Sequence, residues 1–164
     1  MVKMYMHISM KERARGAKTS RAEAVRLPCA CANLRRAGRM VTQLYDSVFR
    51  PSGLRATQFT LLQALNHAPR ISQSQLAELL GIDSTTLTRT LAFLQRKKWL
   101  RSERGNDRRE LEISLSPAGQ REYKRVFPYW QRAQRRLRHA LGEAHWNQVM
   151  DAAILAAGAA PKPD

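Results

Sequence analysis

Three arginines and two carboxylates crowd the stretch RGNDRRE, residues 104 to 110. Gly105 and Asn106 are turn formers, so Asp107, Arg108 and Arg109 fall at or near the tip of a reversal of the chain. A guanidinium on a protruding tip can lodge in a narrow, electronegative groove of a duplex. The carboxylate of Asp107, two residues before Arg109, suits an internal role: a charge-assisted hydrogen bond that aims the guanidinium. A second set of polar groups, Ser84, Thr85, Thr86, Thr88 and Arg89, opens an apolar-periodic segment. Short hydrogen-bonding groups at a helix N-terminus, followed by a cation, fit base edges in a major groove and a phosphate beside it. The third set is Cys29 and Cys31 in LPCACANLRRAGR. Pro28 at a first helical position places both thiols in the opening turn, where the helix dipole and Arg35 favour thiolate. Residues two apart on a helix point to different sides, so a bond to a second chain or a small thiol is favoured over an internal one. The structural alternative is two small side chains buried in an interface.

No histidine or carboxylate completes a nucleophile constellation around either thiol, so no enzyme is expected. Two cysteines and four scattered histidines complete no metal signature, and neither metal nor cofactor is expected.

The elements that must hold these groups are legible from periodicity. Leu111, Ile113 and Leu115 alternate with Glu112 and Ser114, and together with WLRSE they predict a half-buried hairpin on either side of the arginine-rich turn. Upstream, ISQSQLAELLGIDSTTLTRTLAFL carries two helix starts: Ser72 with Gln75 as a capping box, and Asp83 as an N-cap. Gly81 sits in the turn between them, Ala77 is small where the helices cross, and Leu76, Leu80, Ile82, Leu87 and Leu91 close the apolar junction. That spacing predicts a helix-turn-helix. Before it, Leu34, Ala37, Val41, Leu44, Tyr45 and Val48 form one face of an amphipathic helix that RPSG ends. A second helix after Thr57 buries Phe59, Leu61, Leu62 and Leu65. After the hairpin, Tyr123, Val126, Phe127, Trp130, Ala133, Leu137 and Leu141 stripe a long helix that Pro128 should kink. A last helix offers Trp146, Val149, Met150, Ala153 and Ile154.

Lys and Arg number 29 against 13 acidic residues, a net charge of +16, which points to a polyanionic partner. The excess sits in three blocks: 7 basic and 2 acidic residues in 1–28, 8 and 2 in 89–109, and 7 and 1 in 121–138. Apolar residues make up 43% of the chain, enough for a modest core. No window approaches the roughly 20 apolar residues of a membrane span, and the N-terminus lacks a secretory signal, so a cytoplasmic location without membrane contact is expected.

DRRELEISLSPAG resembles the wing signature of the MarR family of winged helix-turn-helix regulators: an Asp, one residue, an Arg, then an alternating strand ending in Leu-Thr/Ser and a Gly. LAELLGIDSTTLTRTLAFLQRKKWL is similar to the recognition segment of the same family, and the resemblance spans about residues 30 to 157. It implies that Asp107 and Arg109 are the wing pair and that Ser84, Thr85, Thr86 and Arg89 lie on the DNA-reading helix. It further implies a homodimer whose first and last two helices interlock, set on a palindromic operator in double-stranded DNA, with a small organic effector as one switch. One departure stands out: the family usually has Gly after the recognition helix, where this chain has Lys98, so the helix end is expected to differ.

The expected fold is mainly α with a small β-hairpin. Residues 1–28 form a mobile basic arm, 29–50 a first dimerisation helix and 51–116 the winged helix-turn-helix lobe. Residues 117–158 supply a long kinked helix and a C-terminal helix for dimerisation, and 159–164 a tail. The expected function is a dimeric, sequence-specific regulator of transcription, a repressor released by a small ligand or by cysteine oxidation. The alternative is a non-specific architectural or RNA-binding winged-helix protein.

Overall fold

The computed structural model describes residues 28–68, 70–104 and 111–159. The basic arm, the tail and the tip of the arginine-rich turn therefore lie outside the described residues. The chain divides into two units, Met1–Arg35 and Arg36–Asp164. In the first, the described residues open helix α1 (Ala30–Phe49). Cys29 acts from outside the helix, its carbonyl accepting from the Asn33 amide at 3.1 Å and from Asn33 Nδ2 at 3.0 Å. Pro28 thus precedes the helix rather than starting it, because the Cys29 carbonyl already closes the first turn.

The second unit contains the rest of α1, a 3-10 turn (Arg50–Ser52), α2 (Ala56–His67), β1 (Ile71–Ser72), α3 (Gln73–Leu80), α4 (Ser84–Arg96), β2 (Leu100–Arg104), β3 (Leu111–Leu115), α5 (Pro117–Leu141) and α6 (Glu143–Ala159). Phe49, Phe59, Leu61, Leu62, Leu65, Leu76, Leu87, Leu91, Leu94, Ile113 and Val126 are the largest fully buried side chains, drawn from both ends of the α1–α5 span. An aromatic chain continues this core along α5. Phe59 stacks on Tyr123 at 5.6 Å between ring centroids, Tyr123 meets Phe127 at 5.6 Å, and Phe127 stacks on Trp130 at 5.1 Å. The α5 stripe read from the sequence is therefore used first within the chain itself. The helix runs unbroken through Pro128.

Two polar ties fix the lobe to its neighbours. Asp46 on α1 accepts from the Ala56 amide at 2.7 Å, filling one of the unsatisfied donors at the start of α2. Arg125 on α5 donates to the Ser52 carbonyl at 2.9 Å while gripping Glu122 at 2.6 and 2.8 Å, so α5 also holds the 3-10 turn.

The sheet differs from the hairpin read in the sequence by one strand. Its order is β1-β3-β2, all antiparallel, with Ile71 opposite Ile113 and Leu100 opposite Leu115. Ile113 and Leu115 are buried as the alternation requires, whereas Leu111, paired with Arg104 at the last described step of the hairpin, is 59% exposed.

Candidate nucleic-acid interface

Helix α3 begins as its sequence dictates. Ser72 Oγ accepts from the Gln75 amide at 3.2 Å and Gln75 Oε1 accepts from the Ser72 amide at 3.0 Å, a reciprocal capping box. It ends at Gly81, whose φ of 61° places it in the left-handed region. The Ile82 amide reaches the Ala77 carbonyl at 3.1 Å and the Gly81 amide the Glu78 carbonyl at 3.1 Å, the paired bonds of a Schellman closure. Three residues, Gly81, Ile82 and Asp83, separate α3 from α4, whose buried Leu87, Leu91 and Leu94 face the core. Each of these leucines contributes about 2 kcal/mol of apolar burial, which decides the orientation of the helix. The opposite face is turned to solvent.

That outer face carries Ser84, Thr85, Thr86, Thr88 and Arg89, all exposed. Their hydroxyls are not equivalent. Thr86 donates to Asp83 Oδ2 at 2.6 Å while its amide donates to Asp83 Oδ1 at 2.8 Å, so Thr86 is half of a two-point N-cap. These bonds hold the Asp83 carboxyl below the usual carboxylate range. Thr88 donates to the Ser84 carbonyl at 2.7 Å and Thr90 to the Thr86 carbonyl at 3.0 Å. With those protons engaged, Thr86 and Thr88 can still accept hydrogen bonds, while among the described residues Ser84, Thr85 and Arg89 have side-chain donors with no partner.

The C-terminal end of α4 is where Lys98 departs from the usual pattern. Lys98 adopts φ of 58°, left-handed, although it is not glycine. The Lys98 amide donates to the Gln95 carbonyl at 2.8 Å and the Trp99 amide to the Leu94 carbonyl at 3.0 Å, the same closure Gly81 makes. The expected difference at this helix end is absent: the lysine takes the glycine's conformation. What over-determines it is the start of α5. Ser116 donates through Oγ to the Lys98 carbonyl at 2.7 Å and through its amide to the Trp99 carbonyl at 2.9 Å, and Ser116 Oγ accepts from the Gly119 amide at 3.1 Å. Gly119 is required there, since a Cβ would collide with the Trp99 carbonyl. The Ser and Gly of LSPAG are thus a joint between the end of α4, the base of the hairpin and the start of α5.

From that joint β2 and β3 run out as a pair to Arg104 opposite Leu111. Asp107, Arg108 and Arg109 belong to the six residues between these paired ends and lie outside the described residues. Arg70, ahead of β1, meets Glu103 on β2 at 3.4 Å, an exposed pair beside the like-charged opposition of Glu103 and Glu112. Cys29 and Cys31 are both exposed and unbridged. Among the described residues no group of histidines, cysteines and carboxylates could hold a metal ion, and no helix is long and apolar enough to cross a membrane.

An α3–turn–α4 unit beside a two-stranded ribbon is the geometry of a winged helix, and comparison with known proteins agrees. The MarR family model matches residues 54–111. The transcriptional regulator MosR of M. tuberculosis, solved in complex with DNA, is 34% identical and superposes with a TM-score of 0.71 over 80% of this chain and 95% of its own. The chain belongs to the MarR family. YwoH of Bacillus subtilis, an uncharacterized HTH-type transcriptional regulator, is 23% identical over 93 residues, 57% of this chain and 68% of its own length. A mutant MarR of E. coli complexed with operator DNA shares the fold at a TM-score of 0.69 and 20% identity, over 77% of this chain and 91% of that one.

The MarR family is one of transcriptional regulators rather than enzymes, and within its winged-helix frame three features escaped sequence reasoning. Strand β1 is two residues long and carries no periodicity. The pairing of Thr86 with Asp83 is invisible when Thr86 is read only as a polar surface residue, although an N-cap Asp three residues before a Thr is itself a cue. The Ser116–Lys98 joint spans 18 residues and has no local signal.

Proposed function

We propose that this MarR-family regulator acts as a homodimer that binds a palindromic operator in double-stranded DNA and represses transcription until a small ligand or cysteine oxidation releases it. The observation that carries the reading is the outer face of α4: Ser84, Thr85 and Arg89 are exposed, retain their donors, and stand on a helix fixed at both ends by caps. A rigid helix presenting donors near its N-terminus can enter a major groove and discriminate bases without first being ordered. Thr86 and Thr88 act as acceptors on the same face. Asp107, Arg108 and Arg109 form the wing, Arg109 reaching the minor groove with Asp107 aiming it. Residues 29–50 and 117–158 supply the dimer contacts around the lobe of 51–116, and the cytoplasm is where such a protein meets its DNA. MosR solved with DNA and E. coli MarR solved with operator DNA support this assignment.

The exposure of Cys29 and Cys31 favours oxidation over a packing role within the chain. In that step two thiols give two electrons and two protons to a peroxide, which leaves as water, and one disulfide forms to a second chain or a small thiol.

The test is binding of the purified protein to duplexes from its own upstream region, with a shuffled duplex as control, at several salt concentrations and with and without peroxide. Preference for the native duplex and a steep fall with salt are expected. Equal binding to the shuffled duplex would overturn sequence-specific reading. If peroxide leaves affinity unchanged, the thiols are not the switch, and the small-ligand route stands.

A further inference from the structure

The recognition surface does not account for where the positive charge lies. Helix α4 contributes Arg89 and Arg96, whereas α5 contributes seven Lys and Arg against one Glu. On α5 the charge is ordered. At 100° per residue, Arg121, Lys124, Arg132, Arg135 and Arg136 fall within an arc of about 120°, turned away from buried Val126 and Ala133. All five are exposed or half-exposed at the surface of the helix. Glu122 is occupied by Arg125, and Arg138, off the stripe, by Glu143. Among the described residues Arg121, Lys124, Arg135 and Arg136 have no acidic partner, and Arg132 lies over the Tyr129 ring at 5.7 Å.

An ordinary solvated helix face mixes signs at three- and four-residue spacing, because like charges there destabilise the helix. This one repeats cations at 121, 124 and 125, and again at 132, 135 and 136. Burying such a row against a second copy of the chain would leave unpaired charges in a dry interface, so it lies outside a dimer contact. From Arg121 to Arg136 the stripe runs about 22 Å at 1.5 Å per residue, the axial length of roughly six phosphates on one strand. Guanidinium groups grip phosphates with two donors each.

We propose that this arginine stripe of α5 is a second, sequence-independent contact surface for the phosphate backbone of duplex DNA, separate from α4 and the wing. It rests on the proposed function only in taking duplex DNA as the partner. It holds the protein on DNA of any sequence, while α4 chooses where it stops.

The experiment compares the full-length protein with the triple variant Arg132→Gln, Arg135→Gln, Arg136→Gln in binding to a long duplex of unrelated sequence across a salt series. The slope of log affinity against log salt should shrink by about 0.9 for each phosphate the protein no longer neutralises, up to about 2.7 per protomer. Operator and unrelated affinity should fall together, leaving their ratio nearly unchanged because α4 is intact, and the three arginine-to-lysine exchanges should keep most of the slope. The pair Arg121→Gln, Lys124→Gln, at the other end of the stripe, gives the same readout should the triple variant fold poorly. An unchanged slope in both glutamine variants overturns the proposal. So does tighter binding of an RNA duplex than a DNA duplex of equal length through these residues. Arg89→Ala separates the two readings: if it leaves operator preference intact, the recognition-helix assignment fails while the stripe is judged by its own slope.

Discussion

Lys98 and Asp83 close opposite ends of the same helix by opposite means. Lys98 occupies a left-handed conformation that costs an L-residue about 1 kcal/mol relative to glycine. Its closure bonds come from backbone groups alone, so Lys98→Gly keeps every one of them. The variant should be more stable by about 1 kcal/mol, read as a higher denaturation midpoint with an unchanged dependence on denaturant. Asp83 works through charge. Hydrogen bonds from the Thr86 hydroxyl and amide depress its pKa in the folded protein below the ordinary value of 3.8. The stabilisation is therefore fully present above about pH 4 and is lost as pH falls through the lower folded value, because the unfolded chain then binds the proton more readily. Asp83→Asn retains an N-cap acceptor without titrating, so its stability relative to the parent should improve as pH falls from about 5 to about 2. Unfolding curves at several pH values check this, and a constant difference would mean that the carboxylate is not the group that titrates.

At the scale of elements, the joint between α4, the hairpin and α5 combines the hydrogen bonds of one side chain, Ser116, with a close approach of backbones. Gly119 meets the Trp99 carbonyl where no Cβ fits, and backbone there cannot yield as a flexible side chain could. Gly119→Ala should cost about 2 kcal/mol or more by overpacking and should weaken operator binding, since the hairpin and α4 are set from the same point. Denaturant unfolding together with operator affinity measures both. This joint also marks the limit of what the sequence discloses. The helix start at Ser72 was legible because its capping partner Gln75 lies three residues on, that at Asp83 because an N-cap residue type precedes the polar Ser84 and Thr85, and α2 because Phe59, Leu61, Leu62 and Leu65 all face inward. The exposed face of α4 followed from the spacing of Leu87 and Leu91, and Leu94 extends the same buried row. Strand β1 was not legible, because two residues cannot display a period of two, and Ile71 and Ser72 become a strand only by pairing with β3 about 40 residues away. The engagement of Thr86 and Thr88 hydroxyls within α4 was hidden for a different reason: composition names a donor but not where its proton is spent.

For the molecule as a whole, helix α6 poses the question of what covers it. None of its 17 residues is buried, yet Val149, Met150, Ala153 and Ile154 share one side, and Ile154 and Leu155 are 71% and 72% exposed. Leaving such a row in water forgoes the apolar burial that normally holds a helix in place, and short helices are marginal without it. Its tie to α5, Arg138 to Glu143 at 2.7 Å, is exposed on both sides and contributes little against that deficit. Met40 on α1 is likewise 59% exposed. In the proposed homodimer a second copy covering these rows by twofold symmetry would remove the deficit and place two α4 helices on one duplex, which is how the proposed palindromic operator follows from the helical ends of the chain. Met150→Glu with Ile154→Glu introduces charge where that interface requires apolar contact, without touching a residue buried within the chain. Sedimentation should then give a monomer, and operator affinity should fall at least about tenfold, because each half-site alone supplies only part of the binding energy. A dimer that survives both charges would place the contact elsewhere. A monomer that retains full operator affinity would remove the palindrome from the reading.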